Sequence, residues 1–212
     1  MVDTSKNRLH LHSLPQNPAS DPPTTPKRDF PRAQNGISAA VSCAGMQIVT
    51  TTERLVIRKM TIDDAPTLHR YRNDAEVARY QGWAIPYALQ DAESLARDMD
   101  LNDPFALGDW TQLAVARLEA SHALIGDVAV RLEAEEPTAE IGVTFDRAHW
   151  GAGYASEAVV GVVEHCFERL GLARVVAFTH HANEPAQRVL ERAGLRFVAT
   201  DGDELVYYLR AD

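Results

Sequence analysis

A chain of 212 residues, 45% of them hydrophobic, is long enough for one domain with a real apolar core. Its formal net charge of -9 argues against a nucleic-acid partner, because surfaces that hold DNA or RNA are basic; it suits an amine-bearing partner, or serves solubility alone. No apolar run approaches the roughly 20 residues that cross a bilayer, and the opening "MVDTSKNRLHLHSLPQNPAS" lacks the apolar centre of an export signal, so no membrane is expected and the expected setting is cytoplasmic.

Residues 1–45 carry Pro15, Pro18, Pro22, Pro23, Pro26 and Pro31 among Ser, Thr, Asn and Lys, with no hydrophobic period. Such a segment cannot bury enough apolar area to offset the entropy of ordering it, and a disordered tail is expected. The domain is expected over 46–212, with Met46 either following a true appendage or marking the biological start. Cys43 falls in the tail and Cys166 on an apolar helix face, so no structural disulfide is expected.

"RLVIRKM" reads as a strand. "TIDDAPTLHRYR" opens a helix, with Thr61 and Asp64 spaced as a capping box. "AEVARY" and "LQDAESLARDMD" continue as helices around a break at Pro86. "TQLAVARL", a turn over 119–122, "ALIGDVAVRL", a turn at Glu135, Glu136 and Pro137, and "AEIGVTF" read as strands joined by short turns, which favours antiparallel pairing. From Ala155 the period becomes helical: Ala158, Val159, Val162, Val163, Cys166 and Phe167 form one face, and Gly171 ends the run. "ARVVAFTH" is the next strand. A helix with Ala186, Val189, Leu190 and Ala193 on one side stops at Gly194, and "LRFVAT" with "ELVYYLR" closes the chain as a hairpin.

Between "EIGVTF" and the long helix lies "HWGAGYASEA". Gly151-Ala-Gly153-Tyr-Ala-Ser156 nearly fits the dinucleotide pattern G-x-G-x-x-G/A. That pattern requires an acid at the end of the following strand, about 20 residues on, to hold the ribose. Here the strand ends Thr179-His180-His181, and the strand before the glycines follows hairpins rather than a β-α-β unit. The simpler readings are a plain tight turn, or an anion site in which unpaired N–H groups and the helix dipole meet a diphosphate.

The glycines have company. "WGAGYA" with "SEA", then "NEPAQRVLERAGLRF", resembles the GNAT superfamily of acetyl-CoA-dependent N-acetyltransferases, within it the group of ribosomal-protein N-terminal acetyltransferases. The opening "TERLVIRKMTIDDAPTLHRYRNDAEVARY" is similar to that group's first strand and helices, and the likeness runs from about Thr51 to Arg210. Trp150 stands where the family's diphosphate loop often has Gln or Arg. The resemblance implies an α+β fold, a mixed and mostly antiparallel twisted sheet with flanking helices and splayed central strands. It also implies an acetyl-CoA co-substrate, direct acetyl transfer to a primary amine without a covalent enzyme intermediate, no metal, and a monomer or homodimer.

By that resemblance Val143 and Phe145 would pair with the pantetheine arm, and the amides of Gly151, Ala152, Gly153, Tyr154, Ala155 and Ser156 would hold the diphosphate. Asn183 would reach toward pantetheine, although an Asn at a helix start is otherwise an N-cap. Many relatives place a tyrosine seven residues after that Asn, and ribosomal-protein-like members a serine three after it; here these positions are Leu190 and Ala186, which leaves the general acid unassigned. An α-amine, with a pKa of about 7.7–8.0, needs only a weak base, unlike a lysine near 10.4. Glu140, just ahead of the splayed strand, is the first candidate base. The strand-end histidines, His181 and its neighbour His180, are the second, and Asp127 the third. Each also has a plain structural reading. "RYQGWAIPY", 79–87, offers Tyr80, Trp83 and Tyr87 as an acceptor-pocket wall or as ordinary packing.

Overall fold

The computed structural model describes residues 46–211. The proline-rich stretch, its expected disorder and Cys43 lie outside the described residues. Eight strands form one sheet in the order β1-β2-β3-β4-β5-β6-β8-β7. They are β1 (Ile48–Thr51), β2 (Leu55–Lys59), β3 (Trp110–Arg117), β4 (Ala120–Leu132), β5 (Thr138–Phe145), β6 (Arg174–His180), β7 (Arg196–Asp201) and β8 (Glu204–Arg210). All neighbours are antiparallel except β5 and β6, whose parallel pairing is made possible by the intervening helix. The expected mixed, mostly antiparallel α+β fold is present. The strand order, built from hairpins, excludes the doubly wound sheet of a dinucleotide fold.

Five helices cover the two faces: α1 (Ala65–Arg72), α2 (Ala75–Ala78), α3 (Leu89–Leu101), α4 (Tyr154–Glu168) and α5 (Glu184–Arg192). Strand alternation sorts the core. Leu55, Ile57, Leu113, Val115 and Val128 join Val159, Val162 and Cys166 of α4 on one face. Ala114 and Met60 join Leu68 and Tyr71 of α1, with Ala92 and Ala96 of α3, on the other. Burial pushes the Cys166 thiol up to about 12, so it is packing material rather than a nucleophile.

Local chemistry fixes the ends of these elements. The Asp64 carboxylate accepts from the Thr61 N–H at 2.9 Å, as the sequence spacing predicts, and also takes a two-pronged pair from buried Arg58, both at 2.7 Å. Gly171 has φ +66° past the end of α4, where the Leu172 N–H reaches the Cys166 carbonyl at 3.0 Å. The turn expected over 119–122 is tighter: β4 already begins at Ala120, and Ser121 and His122 belong to the strand. Helix α4 opens one residue earlier than its apolar period, at Tyr154.

Candidate active site

The parallel contact between β5 and β6 is short. It runs from Thr138 opposite Arg174 to Ile141 opposite Ala177 and then stops, so Gly142 onward and Phe178 onward diverge. The opening between them has a volume of about 100 Å³ and is lined by Val143, Thr179, His180, Asn183, Leu190 and Glu204, among others. That is well below the roughly 300–1,000 Å³ of a pocket enclosing a whole ligand, so it suits a thin chain threaded between strands. A larger cleft of about 450 Å³, at the C-terminal end of α3, shares no lining residue with it.

At the mouth of α4, Gly151 and Gly153 take φ +77° and +81°, a left-handed conformation costly for residues with a Cβ. A Cβ on Gly151 would meet nothing within 4 Å, and one on Gly153 only Arg54 Nη2 at 3.5 Å. The loop therefore has open space in front of it. Among the described residues, Glu157 is the first after Trp150 whose N–H finds a backbone carbonyl, that of Gly153 at 3.1 Å. The N–H groups of the first turn of a helix have no intrahelical partners, and Ser156 Oγ is buried in the same turn with no partner among the described residues. Successive free donors, a helix dipole and an orphaned hydroxyl fit a diphosphate.

The expected site residues divide sharply. Val143 and Asn183 line the gap, and Asn183 also caps α5, its Oδ1 accepting from the Ala186 N–H at 3.3 Å. Phe145 turns its ring into the core, while its carbonyl accepts from the Trp150 indole at 2.8 Å, which moors the loop. Ala186 and Leu190 line the gap without a hydroxyl.

The candidate bases need correction. Glu140 does lie ahead of the point where the strands part, inside β5 and opposite Val176 where the two strands still pair. Its side chain is 4% exposed and accepts from Arg131 Nη2 at 2.5 Å, and it does not line the gap. His181 lies just past β6, 58% exposed, with Nε2 4.0 Å from Asp203 Oδ1. His180 is the histidine that lines the gap, stacked between Tyr80 and His181. Asp127 is buried beneath α1, where it accepts a very short hydrogen bond from the Tyr71 hydroxyl. Burial pushes the Asp127 carboxyl up, against the opposing effects of Arg72 and of the Tyr71 hydrogen bond. Burial and then the Asp127 charge push the Tyr71 hydroxyl well above its ordinary value.

The aromatic loop also splits in two. Trp83 and Tyr87 pack in the core beside α1 and hold the Arg72 guanidinium, 4.3 and 5.1 Å from their ring centres. Tyr80 instead lines the gap and donates to the Ala182 carbonyl at 3.2 Å, bridging the α2–α3 segment to the end of β6.

Two residues of the site escape a reading by motif. Glu204, opposite His180 across β6 and β8, is the one acid among the described residues lining the gap. Hairpin register around the Gly202 turn was the available signal. Arg54 packs against the glycine loop from the far end of the domain, a contact 98 residues apart in sequence that no local pattern announces.

Residues 54–196 match the family described as acetyltransferase (GNAT) domain, most of the described chain. The chain belongs to the GNAT acetyltransferase family. It is 35% identical over 142 residues to the uncharacterized N-acetyltransferase p20 of Bacillus licheniformis, covering 66% of this chain and 77% of that one. The crystal structure of a GNAT acetyltransferase from Bacillus anthracis superposes with a TM-score of 0.62 at 26% identity, over 76% of this chain and 97% of that one. The spermidine N-acetyltransferase of Vibrio cholerae, solved with CoA and spermine, shares the fold with a TM-score of 0.63 at 17% identity, over 75% of this chain and 96% of that one. The GNAT protein described here is an acetyl-CoA-dependent acetyltransferase. No helix among the described residues is long and apolar enough to cross a membrane.

Proposed function

We propose that this acetyltransferase acts on a primary amine, with a protein N-terminal α-amine as first choice, and that Glu204 receives the amine's proton. The observation that carries the reading is the composition of the gap: one carboxylate, Glu204, and one imidazole, His180, beside the slot for the thioester. The His180 Nδ1 accepts from the Ala182 N–H at 3.0 Å, so the neutral ring bears its proton on Nε2 and acts as a donor. Glu204 is left as the acceptor. A carboxylate is a weak base, sufficient for an α-amine that is already partly neutral near pH 7.5 and poorly matched to a lysine side chain.

Pantetheine would extend β5 along Gly142 and Val143, and the diphosphate would rest on residues 151–156 with Ser156. The amine nitrogen attacks the thioester carbonyl carbon, forming a C–N bond. Collapse of the tetrahedral adduct breaks the C–S bond, the amine proton passes to Glu204 directly or through one water, and the thiolate takes a proton from solvent. With a thiol pKa near the cysteine value of about 8.5, that last step needs no dedicated acid, which is compatible with Leu190 and Ala186 in place of hydroxyl residues.

A small polycation is the second reading. The β7–β8 turn places Asp203, with a side chain 84% exposed, next to Glu204, a pair that would attract a polyamine or aminoglycoside. Free-thiol release from acetyl-CoA, followed with peptides bearing free or blocked N-termini beside spermidine and an aminoglycoside, separates the two. Free N-termini are expected to turn over and blocked ones not. Turnover of small amines alone would replace the α-amine reading by the polycation one, and no acceptor-dependent release at all would reduce the domain to a CoA-binding module.

A further inference from the structure

Glu157 stands in the first turn of α4, where the diphosphate is to bind, and a bare carboxylate there is a problem. It would repel the ligand, and a glutamate near a helix start can turn back onto the free N–H groups itself. In this protein it is fully engaged elsewhere. Oε1 accepts from the Thr52 hydroxyl at 2.6 Å and from the Arg54 N–H at 2.8 Å. Oε2 accepts from Arg54 Nε at 2.7 Å and Nη2 at 2.6 Å. The same guanidinium donates through Nη1 to the Ala152 carbonyl at 3.1 Å and lies 4.7 Å from the centre of the Tyr154 ring. One side chain therefore touches three members of the glycine loop and its first helical turn, with its Nη2 3.5 Å from the point where a Gly153 Cβ would stand.

We propose that Arg54 is a positioning residue for the diphosphate of acetyl-CoA: it pins Glu157 away from the free amides of the loop and cancels its charge. The proposal rests on the reading of residues 151–156 as the diphosphate cradle. The Arg54 side chain is 46% exposed and that of Glu157 16%, so the pair is partly screened and its effect is largest at low salt. Ligand affinity, rather than fold stability, is where the pair acts.

Calorimetric binding of acetyl-CoA and of acetyl-pantetheine, which lacks the diphosphate, is the test, with wild type, Arg54→Gln, Glu157→Gln and the double variant. Wild type should prefer acetyl-CoA; equal affinity for the two ligands would overturn the cradle reading and the proposal with it. Arg54→Gln should weaken acetyl-CoA about tenfold or more while leaving acetyl-pantetheine within about twofold, because only the charged ligand meets the uncovered carboxylate. The double variant should regain most of that loss, since the repelling charge has gone with its mask. Equal weakening of both ligands by Arg54→Gln, or a double variant no tighter than Arg54→Gln, would show that Arg54 only props the loop. Arg54→Lys, which keeps the charge and loses the fork, supplies the same two-ligand comparison should Arg54→Gln not fold.

Discussion

His180 and Glu204 face one another across β6 and β8, and both line the opening between β5 and β6. The two differ in what they can do with a proton, since the histidine Nδ1 already holds the Ala182 N–H. Glu204→Gln keeps the shape and removes the basicity. It is expected to lower kcat about tenfold to a hundredfold, at or below the bottom of the usual range for a general base, with the melting temperature hardly changed. The pH profile of kcat/KM for a peptide should keep its rise near pH 7–8, which belongs to the substrate amine. A full kcat in Glu204→Gln at saturating peptide would take the proton-accepting role away from this residue.

Glu140 and Asp127 should behave as parts of the fold. Glu140→Gln breaks the pair with Arg131, whose side chain is 29% exposed, and is expected to cost about 1–2 kcal/mol in urea unfolding with little change in kcat. Asp127→Ala leaves the buried Tyr71 hydroxyl without its acceptor and should cost about 2–4 kcal/mol.

Asp127→Asn carries a pH signature. Burial raises the folded-state pKa of Asp127 above its unfolded value, so the native state retains a proton that the unfolded chain has lost. Stability through this group therefore falls as pH rises from about 3.9 to the raised value, and Asp127→Asn should remove that part of the slope. Identical pH–stability curves for the two proteins would contradict the raised carboxyl.

Gly153→Val tests the loop. Its φ of +81° strains any β-branched residue, and the Cβ would project beside Arg54 Nη2. Acetyl-CoA affinity should fall by about 1–3 kcal/mol, with acetyl-pantetheine much less affected. Unchanged acetyl-CoA binding by calorimetry in a folded variant would remove the phosphate role of these glycines.

What the sequence made legible follows from how local the physics is. The 3.6-residue period gave α4 and α5 within a residue or two, and capping chemistry marked Asp64 and Asn183. The glycine turn before α4 was readable because two closely spaced glycines that take positive φ form a local signal. The proton chemistry was not, because it depends on which face of a strand a residue occupies and where two strands part. Glu140 looked well placed by distance along the chain, yet it precedes the splay, and Arg131 of the neighbouring strand β4 takes its carboxylate. His181 and His180 are adjacent in sequence, and the end of β6 between them decides which one lines the gap. Arg54 and Glu157 meet only through the tertiary fold.

Asp146, at the end of β5 and five residues before Gly151, offers a last test, on the acid side. Burial alone would raise its carboxyl. The hydrogen bond from Arg70, the Ala148 N–H and the charges of Arg70 and His149 outweigh burial and leave it below the ordinary value. The Arg70 contact is 2.6 Å, but that side chain is 60% exposed, so screening limits its worth to about 0.5–1 kcal/mol. A depressed folded pKa means the stabilisation is present above the unfolded value of about 3.9 and is lost as pH falls through the folded one. Wild type and Arg70→Ala should thus differ by a constant amount in urea unfolding between about pH 5 and 7, and the difference should shrink as pH falls below about 3.9. Added salt should narrow the gap at pH 7. A difference that persists undiminished at pH 2 would assign the effect of Arg70 to packing of its aliphatic stem instead of to the charge on Asp146.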